Sequence, residues 1–310
     1  MKTLIVIPAR HGSTRFPGKP LMLLDGKPIL QWVWEIASRA CEQSPDCHAV
    51  VATEPPKEGS QGGDSRTITD FCEARGIPVV ITPEECKSGS DRAWHACLKL
   101  NARPDIIVNL QGDNPACMPS FITSVINAFG EHPESRVVTP YIQMRWRALE
   151  LMRNKKMSFE RRRWRELLGE PPGALHEKLR DMEKDAAPFS GTTVIVDKTG
   201  HAKWFSKNII PALRGEDALR KNDPVFSPVT RHLGLYAFRY EALEFFVNAA
   251  AGKYEKLEQL EQLRFLENDI PIRMVGVGYP EEWDAIASGI DEPGDLRQTE
   301  MVFKKHGGPV

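Results

Sequence analysis

Several features that would assign the chain to a common functional class are absent from its 310 residues. The formal net charge is −1, so no overall field favours nucleic acid or an acidic membrane, and recognition of an anion would have to be local. No apolar run has the length of a transmembrane helix, and the apolar run at the N-terminus is too short for the core of a signal peptide. We therefore expect a cytoplasmic protein that binds neither nucleic acid nor membrane.

The cysteines also lack the spacing of a metal or redox site. They are Cys41, Cys47, Cys72, Cys86, Cys97 and Cys117, and they form neither a C-x-x-C pair nor a Cys/His zinc pattern. We expect reduced, mostly buried thiols, with a Cys41–Cys47 disulfide as the less favoured alternative.

Two common phosphate-binding signatures, G-x-x-x-x-G-K-[ST] and G-x-G-x-x-G, are missing as well. The chain has instead a basic stretch, Pro8 to Pro20, directly after the apolar residues 4–7. Its charged residues Arg10, Arg15 and Lys19 alternate with glycines and small hydroxyl residues. A polyphosphate needs this combination of close backbone approach, free N–H groups and fixed positive charge. The position after the first strand favours a triphosphate-binding loop over a basic surface turn.

The first 130 residues alternate between short apolar runs and segments of helical periodicity. The predicted strands are residues 4–7, 48–52, 79–82 and 106–110, and the predicted helices are 29–39, 67–75, 90–100 and 120–129. The strands show no polar face, which predicts a parallel sheet covered on both sides in an α/β fold. A loop rich in Pro, Gly and Ser spans 54–66.

The second half begins with a predicted strand at 137–141 and a charged segment at 143–187. Pro171-Pro172-Gly173 divides this segment into two helical pieces, and its basic core is Arg161–Arg165. Acidic residues are interleaved with the basic ones, which favours a solvated helical hairpin or a cap over a nucleic-acid surface. The remaining predicted strands are 193–196, 204–205, 233–238 and 272–277, and the remaining helices are 240–250, 255–267 and 292–305.

Two aspartates are candidate ligands for Mg²⁺. Asp113 follows the apolar strand 106–110 and lies between Gly112 and Asn114-Pro115, and Asp291 lies in a turn before the last helix. Carboxylate oxygens hold Mg²⁺ together with substrate phosphates, and such a site stabilises charge on a transferring phosphoryl group. An Asx-turn at Asp113 and a helix cap at Asp291 are the structural alternatives.

Six motifs occur in order along the chain. They are Pro8–Leu21, Ser88–Arg92, Gln111–Pro115, Arg231–Tyr236, Leu260–Arg264 and Gly289–Leu296. Together they resemble the cytidylyltransferases of 3-deoxy-manno-octulosonate (Kdo), over nearly the whole chain except 54–66 and 143–187. The resemblance implies a Rossmann-like nucleotidyltransferase fold, with a mainly parallel sheet and a smaller acceptor-binding and dimerisation part. It also implies a homodimer that transfers CMP from CTP to a small anionic acceptor, with Mg²⁺ as cofactor and release of pyrophosphate.

We accordingly interpret residues 1–310 as one cytidylyltransferase domain. In this division 1–140 form the CTP-binding half, 143–187 a helical insertion, and 188–310 the acceptor-binding and dimerisation half. The insertion lengthens the chain relative to the usual members of the family.

The resemblance implies a role for each matching residue. Those expected to bind CTP are Arg10, Ser13, Arg15, Lys19, Ser88, Gly89, Ser90 and Arg92, with Arg15, Lys19 and Asp113 as the catalytic residues. Asp113 and Asp291 would bind Mg²⁺. The residues expected to contact the acceptor are Gln111, Lys207, His232, Tyr236, Glu261 and Gln262. The alternation at 233–238 would place His232 and Tyr236 on one face of a strand. A core histidine bonded to backbone is the alternative for His232.

The departures from the family pattern lie on the acceptor side. Lys207 stands where the family has an arginine associated with the acceptor carboxylate, and 188–193 lack the usual Asn-Pro-Asn and lysine. A lysine keeps the charge and loses the bidentate fork. Two alternatives to Kdo therefore stay open: a small phosphonate acceptor, such as phosphonoformate or 2-hydroxyethylphosphonate, and an inactive nucleotide-binding homologue. The retained Lys19, Asp113 and Asp291 argue against the inactive homologue.

Overall fold

The strand Thr3–Pro8 lies inside the main sheet, and its side chains alternate between two cores. Ile5 and Ile7 contribute to one apolar cluster, whereas Leu4 and Val6 contribute to another. All four are at most 8% exposed. A strand of this kind has no face for water, so helices must cover both sides of the sheet.

A computed structural model describes residues 1–10, 16, 18–44, 46–55, 68–168, 191–286, 289–291 and 293–310, without the side chains of 158–168 and 285. The strands are β1 (Thr3–Pro8), β2 (Leu23–Leu24), β3 (Lys27–Pro28), β4 (Cys47–Thr53), β5 (Val79–Ile81), β6 (Ile106–Leu110), β7 (Val137–Arg145), β8 (Thr192–Val196), β9 (Ala202–Ser206), β10 (Phe226–His232), β11 (Leu235–Phe238) and β12 (Ile272–Gly276). The α-helices are α1 (Ile29–Glu42), α2 (Ile68–Glu73), α3 (Gly89–Lys99), α4 (Pro119–Glu131), α5 (Trp146–Leu168), α6 (Glu216–Asn222), α7 (Tyr240–Asn248), α8 (Lys253–Glu258), α9 (Leu263–Leu266) and α10 (Pro293–His306). Two 3₁₀ turns span Lys19–Leu21 and Glu281–Ile286.

Ten of these strands form one mixed sheet, and β2 and β3 form a separate small ribbon. The order is β5-β4-β1-β6-β11-β7-β10-β8-β9, and β12 pairs with β7. The strands β5, β4, β1 and β6 are parallel, as the alternation of strands and helices predicts. From β11 to β9 each neighbouring pair is antiparallel, and β12 is parallel to β7. The carboxyl ends of β1 and β6 are adjacent, which brings together the loops that follow them.

Helices cover the two faces as the apolar periodicity of the first half requires. The apolar residues of α1 and α4 pack in the cluster that contains Ile5 and Ile7, together with Phe303 of α10. The apolar residues of α3 and α7 pack in the cluster that contains Leu4 and Val6. The predicted helices and strands of this half agree with the structure to within a few residues.

The predicted strand at 233–238 is wrong in its extent, because two strands occupy this region. β10 ends at His232, Leu233 and Gly234 interrupt the ladder, and β11 begins at Leu235. The amide of Leu233 donates to the carbonyl of Pro140, and that of Leu235 donates to Leu233. His232 and Tyr236 are therefore on different strands, yet their rings remain neighbours at 5.3 Å between centroids.

The predicted continuous helix over 255–267 is also wrong. α8 ends at Glu258, the next residue Gln259 has a left-handed conformation (φ 54°), and α9 begins only at Leu263. Leu257 is 69% exposed, so it is not part of a buried apolar face. The ion pair between Arg264 and Glu255 (2.5 Å) spans the break and holds the two short helices together. As a result, Glu261 and Gln262 lie in a turn between helices.

The charged segment begins later than predicted, because β7 continues to Arg145. α5 then starts at Trp146, and its buried side chains Trp146, Leu149 and Met152 pack against Val229 of β10 in a third apolar cluster. The second helical piece and the Pro171-Pro172-Gly173 break lie outside the described residues, as does most of the loop at 54–66.

All six cysteines are free thiols, and each except Cys41 is buried. Among the helices that the structure describes, none is long and apolar enough to cross a membrane.

Candidate active site

Two adjacent cavities lie at the carboxyl ends of β1 and β6. The first, of about 190 Å³, is lined by Pro8, Ala9, Arg10, Lys19, Pro20, Cys86, Lys87, Ser88, Gly89, Arg92, Gln111, Gly112, Asp113 and Asp291. The second, of about 520 Å³, extends from it towards β10, β11 and the turn after α8. Their shared border consists of Ser88, Gly89, Gln111, Asp113 and Asp291. We call these the basic cavity and the larger cavity.

The backbones at the carboxyl ends of β1 and β6 approach each other closely beside this border. A Cβ at Gly112 would lie 2.7 Å from the carbonyl oxygen of Pro8, so only glycine allows this approach. The amide of Gly112 donates to the same oxygen (3.2 Å). This contact fixes the position of Asp113 relative to the loop that begins at Arg10.

Lys19 is a cation of the basic cavity with two hydrogen-bond partners. It follows Gly18, whose left-handed conformation (φ 70°) turns the chain into the 3₁₀ turn Lys19–Leu21. The side chain is 10% exposed, and its Nζ donates to Asp113 Oδ2 (2.5 Å) and to the carbonyl of Ile290 (2.7 Å). The ammonium group is therefore held at the border by two strong partners, one of them a carboxylate.

Asp113 and Asp291 face both cavities. The amide of Ile290 donates to the carbonyl of Asp113 (2.9 Å), which brings the turn before α10 onto the loop after β6. The side chain of Asp113 is 34% exposed, so a ligand can reach it. Within the described ranges no cluster of three or more metal-ligating side chains is found. Two carboxylates that line a cavity suit Mg²⁺, which completes its shell with phosphate oxygens and water.

The N-terminus of α3 forms the wall between the cavities. Ser88 caps the helix by accepting from the amide of Asp91 (3.1 Å), and Asp91 accepts in return from the amide of Ser88 (2.9 Å). Arg92 is 3% exposed and donates to Thr82 Oγ1 (2.6 Å). An eleven-residue helix that points its N-terminus at a cavity lined by Arg10, Lys19 and Arg92 favours a bound anion.

A chain of hydrogen bonds connects the border with the larger cavity. Gln111 Nε2 donates to Asn109 Oδ1 (3.0 Å), Asn109 Nδ2 donates to Ser90 Oγ (3.2 Å), and Ser90 Oγ donates to Glu261 Oε1 (3.1 Å). Burial raises the pKa of Glu261 to about 7, and the hydrogen bond from Ser90 opposes this shift. Near neutral pH the carboxyl group is therefore divided between its charged and neutral forms.

His232, Tyr236 and Gln262 line the larger cavity together. His232 Nε2 is 2.8 Å from the Thr139 hydroxyl, which donates its own proton to the carbonyl of Leu235 (2.6 Å). The hydroxyl thus accepts from Nε2–H, and Nδ1 is left as an acceptor. Burial, with a smaller contribution from the charge of Lys207, lowers the pKa of His232 to about 3. The Tyr236 hydroxyl donates to Gln262 Oε1 (3.0 Å), which orients the amide.

Most of the residues proposed from the sequence line one of the two cavities. One exception is Ser90, which is 1% exposed and lies in the first turn of α3 without lining a cavity. The others are Ser13 and Arg15, which lie outside the described residues. Lys207 lines the larger cavity with the other residues expected to contact the acceptor.

Sequence reasoning missed Asn109, Asn114, Thr139 and Arg231. Asn114 and Arg231 line the larger cavity, and Asn109 and Thr139 support residues that line it. Asn114 and Arg231 lie within the quoted motifs, beside Asp113 and His232, and this adjacency was the available signal. Nothing in the local pattern singles out Thr139.

Comparison with known proteins agrees with the resemblance found in the sequence motifs. The sequence profile of the family described as cytidylyltransferase matches residues 4–168 and 174–272. The 3-deoxy-manno-octulosonate cytidylyltransferase of Maricaulis maris (strain MCS10) is 34% identical over 307 residues, with 99% of each chain covered. That of Chloroherpeton thalassium is 32% identical, with 98% of this chain and 99% of the relative covered.

A solved structure agrees with the sequence comparisons. CMP:2-keto-3-deoxy-manno-octonic acid synthetase complexed with CTP superposes with a TM-score of 0.70 at 25% identity, covering 98% of this chain and 99% of that one. The expected α/β nucleotidyltransferase fold is confirmed by this likeness. The chain therefore belongs to the cytidylyltransferase family, as its motifs, its fold and its relatives all indicate.

Proposed function

We propose that this protein transfers CMP from CTP to a small sugar acid of the Kdo type and releases pyrophosphate. The observation that carries the proposal is the shared border of the two cavities, which contains Asp113 and Asp291 and where Lys19 of the basic cavity contacts Asp113. A triphosphate in the basic cavity and an acceptor in the larger one would come into contact at this border. Positioning two reactants in this way supplies much of the rate enhancement in phosphoryl-type transfers.

The chemistry of the basic cavity supports binding of the triphosphate. Arg10, Lys19 and the N-terminus of α3 offer positive charge and N–H donors to phosphate oxygens. Asp113 and Asp291 would hold Mg²⁺, which when bound neutralises charge on the phosphates. Lys19 would exchange its contact with Asp113 for one with a phosphate oxygen, and so stabilise the negative charge that develops as pyrophosphate leaves.

The unpartnered polar atoms of the larger cavity support a hydroxyl-bearing acceptor. Among the described residues, Asn114 Oδ1, Glu261 Oε2 and Gln262 Nε2 are buried without a hydrogen-bond partner. Two of the three are acceptors, and acceptors require donors such as the hydroxyls of a sugar. A buried group of this kind costs about 1–3 kcal/mol while unpaired, so a ligand that satisfies it gains affinity.

The reaction balances without any further reactant. An oxygen of the acceptor attacks the α-phosphorus of CTP in line, and a new P–O bond forms as the bond to the β-phosphate breaks. The pyrophosphate takes the electron pair of the broken bond, and the proton of the attacking hydroxyl passes to solvent. Because no covalent enzyme intermediate is needed, residues that position and neutralise charge are sufficient.

A small phosphonate is the second candidate acceptor, and one observation favours it. The larger cavity contains Lys207 and Arg231, and two cations suit a dianion. Glu261 favours the sugar acid instead, because its carboxyl group would repel a phosphonate whenever it is ionised.

Pyrophosphate release from CTP and Mg²⁺ tests the proposal directly. Kdo, phosphonoformate and 2-hydroxyethylphosphonate would be supplied in parallel at matched concentrations. Turnover with Kdo well above the acceptor-free rate supports the sugar acid. Turnover with a phosphonate alone would replace it by the second candidate, and no turnover with any acceptor would favour an inactive homologue.

A further inference from the structure

Arg231, on β10, is a buried cation. The residue is 7% exposed, and its guanidinium makes neither a hydrogen bond nor an ion pair with the residues that the structure describes. An arginine carries five N–H donors and stays charged in proteins, so an unpaired one in this position costs free energy in the ligand-free protein. Buried charges of this kind are normally paired.

Among the described residues, Asp284 and Tyr279 are close enough to affect the charge of Arg231, but each has another partner. Asp284 is held by Arg145 (2.8 Å), and the Tyr279 hydroxyl donates to the carbonyl of Ala116. Burial lowers the pKa of Arg231, and the charges of Tyr279, Asp284 and Asp295 only oppose this shift from a distance. A second cation, Lys155 of α5, lies close enough for the charge of Arg231 to lower its pKa further, after the larger effect of burial.

The guanidinium borders the larger cavity from a direction that the other acceptor residues leave open. Neighbouring residues of a strand face opposite sides, so Arg231 and His232 approach the end of β10 from its two faces. Both line the cavity. Gly191 lies in front of the guanidinium, where a Cβ would come within 3.5 Å of Nη2. A Cβ there would also lie 3.1 Å from Met152 Cε, so glycine allows the chain to pass close to both side chains.

We propose that Arg231 binds the carboxylate of the acceptor and so selects acidic sugars. Lys207 also carries a positive charge, but a lysine cannot form the two parallel hydrogen bonds of an arginine. An Arg–carboxylate pair with two parallel hydrogen bonds is short, strong and directional. The hydroxyls of the sugar would then face Asn114, Glu261 and Gln262 on the other wall of the cavity. This inference rests on the proposed function, since it assumes a carboxylated acceptor.

The test combines Arg231→Met with the C1 carboxamide of Kdo, which keeps the sugar and removes the negative charge. With Kdo, R231M should raise the KM for the acceptor about 100-fold and leave the KM for CTP unchanged. R231K should recover about a tenth of the loss, because it restores charge without the fork. For the wild-type enzyme, the KM for the carboxamide should be about 100-fold higher than the KM for Kdo. For R231M, the two KM values should be equal.

Thermal stability separates a binding role from a structural one. Removing an unpaired buried charge should raise the Tm of ligand-free R231M by about 2–4 °C. The matched control is Arg145→Met, which breaks the pair with Asp284 outside both cavities. R145M should lower the Tm and leave the KM for the acceptor unchanged.

Each alternative outcome identifies which claim fails. If R231M lowers the Tm, or if its KM for Kdo stays within threefold of the wild type, the proposed role of Arg231 is overturned and the proposed function stands. If R231M discriminates between acid and amide as the wild type does, another group holds the carboxylate. If the wild type rejects Kdo altogether, the proposed function fails, and with it the carboxylate partner of Arg231.

Discussion

Lys19 gives the sharpest prediction, because the structure shows what its removal would cost in stability and in catalysis. Its ammonium group donates to Asp113 (2.5 Å) and to the carbonyl of Ile290 (2.7 Å). Lys19→Met would leave that carbonyl without this donor, at about 1–3 kcal/mol. The pair with Asp113 adds under about 1 kcal/mol, since the carboxylate is 34% exposed and screened by solvent.

The expected loss of stability is therefore about 2 kcal/mol. Such a loss lowers the Tm by about 4–8 °C in domains of 150–250 residues, and by less in this larger chain. The protein should remain folded at assay temperature. The effect on catalysis is larger, because losing one donor that stabilises developing charge costs about 10²–10³-fold in rate. We expect kcat with saturating CTP and acceptor to fall by this factor.

Lys27→Met is the matched control for this experiment. Lys27 forms an ion pair of the same length with Glu35 (2.5 Å), is partly exposed, and lines neither cavity. K27M should change stability by less than about 1 kcal/mol and leave the kinetics unchanged. Pyrophosphate release and thermal melting of both variants provide the readouts. A K19M enzyme within threefold of the wild-type kcat would refute the assignment of Lys19.

Three further predictions concern neighbouring groups. Asp113→Ala should reduce turnover about 10³-fold while circular dichroism shows a folded protein, and near-normal turnover would exclude Asp113 from the metal site. Burial raises the pKa of Glu261 from 4.5 to about 7. The ligand-free wild type should therefore lose stability relative to Glu261→Gln as the pH rises from about 4.5 through 7. A difference in Tm that stays constant over about pH 4.5–8 would contradict this. Thr139→Val should raise the KM for the acceptor about tenfold and leave the KM for CTP unchanged, because the Thr139 hydroxyl fixes the His232 tautomer. Thr139→Ser keeps the hydroxyl and should restore the KM for the acceptor. Equal effects of the two variants would exclude that role.

The basic cavity could be predicted from sequence because its signals are local. β1 and β6 are mostly apolar, and the residues that follow them carry charge, glycine and proline. Parallel strands place such loops at one edge of a sheet, so Lys19 and Asp113 were expected to be near each other before any distance was known.

The acceptor side depends on tertiary structure that a local pattern does not carry. β10 was missed because Pro228 and a register shift between Phe226 and Thr230 interrupt the alternation of a regular strand. The break at Gln259 was missed because a left-handed conformation at glutamine has no local signature of the kind that glycine gives. It is the Arg264–Glu255 ion pair, nine residues apart, that spans the break.

Arg231 shows the same limit in a single residue. An arginine between Thr230 and His232 resembles the polar face of an ordinary strand. In the folded chain the residue is 7% exposed, its guanidinium lies beside Gly191, and it lines the larger cavity. Burial of a charge is a property of the folded chain, and it is the observation from which the acceptor carboxylate is inferred.

The central claim is that an acceptor oxygen attacks the α-phosphorus of CTP where the two cavities meet. ³¹P NMR of the product formed from CTP, Mg²⁺ and Kdo labelled with ¹⁸O at its hydroxyls tests this most directly. The account predicts one phosphodiester resonance, shifted by a bridging ¹⁸O from the acceptor, together with one equivalent of unlabelled pyrophosphate. A phosphodiester without the label, or CTP consumed with no CMP–Kdo resonance, would contradict it.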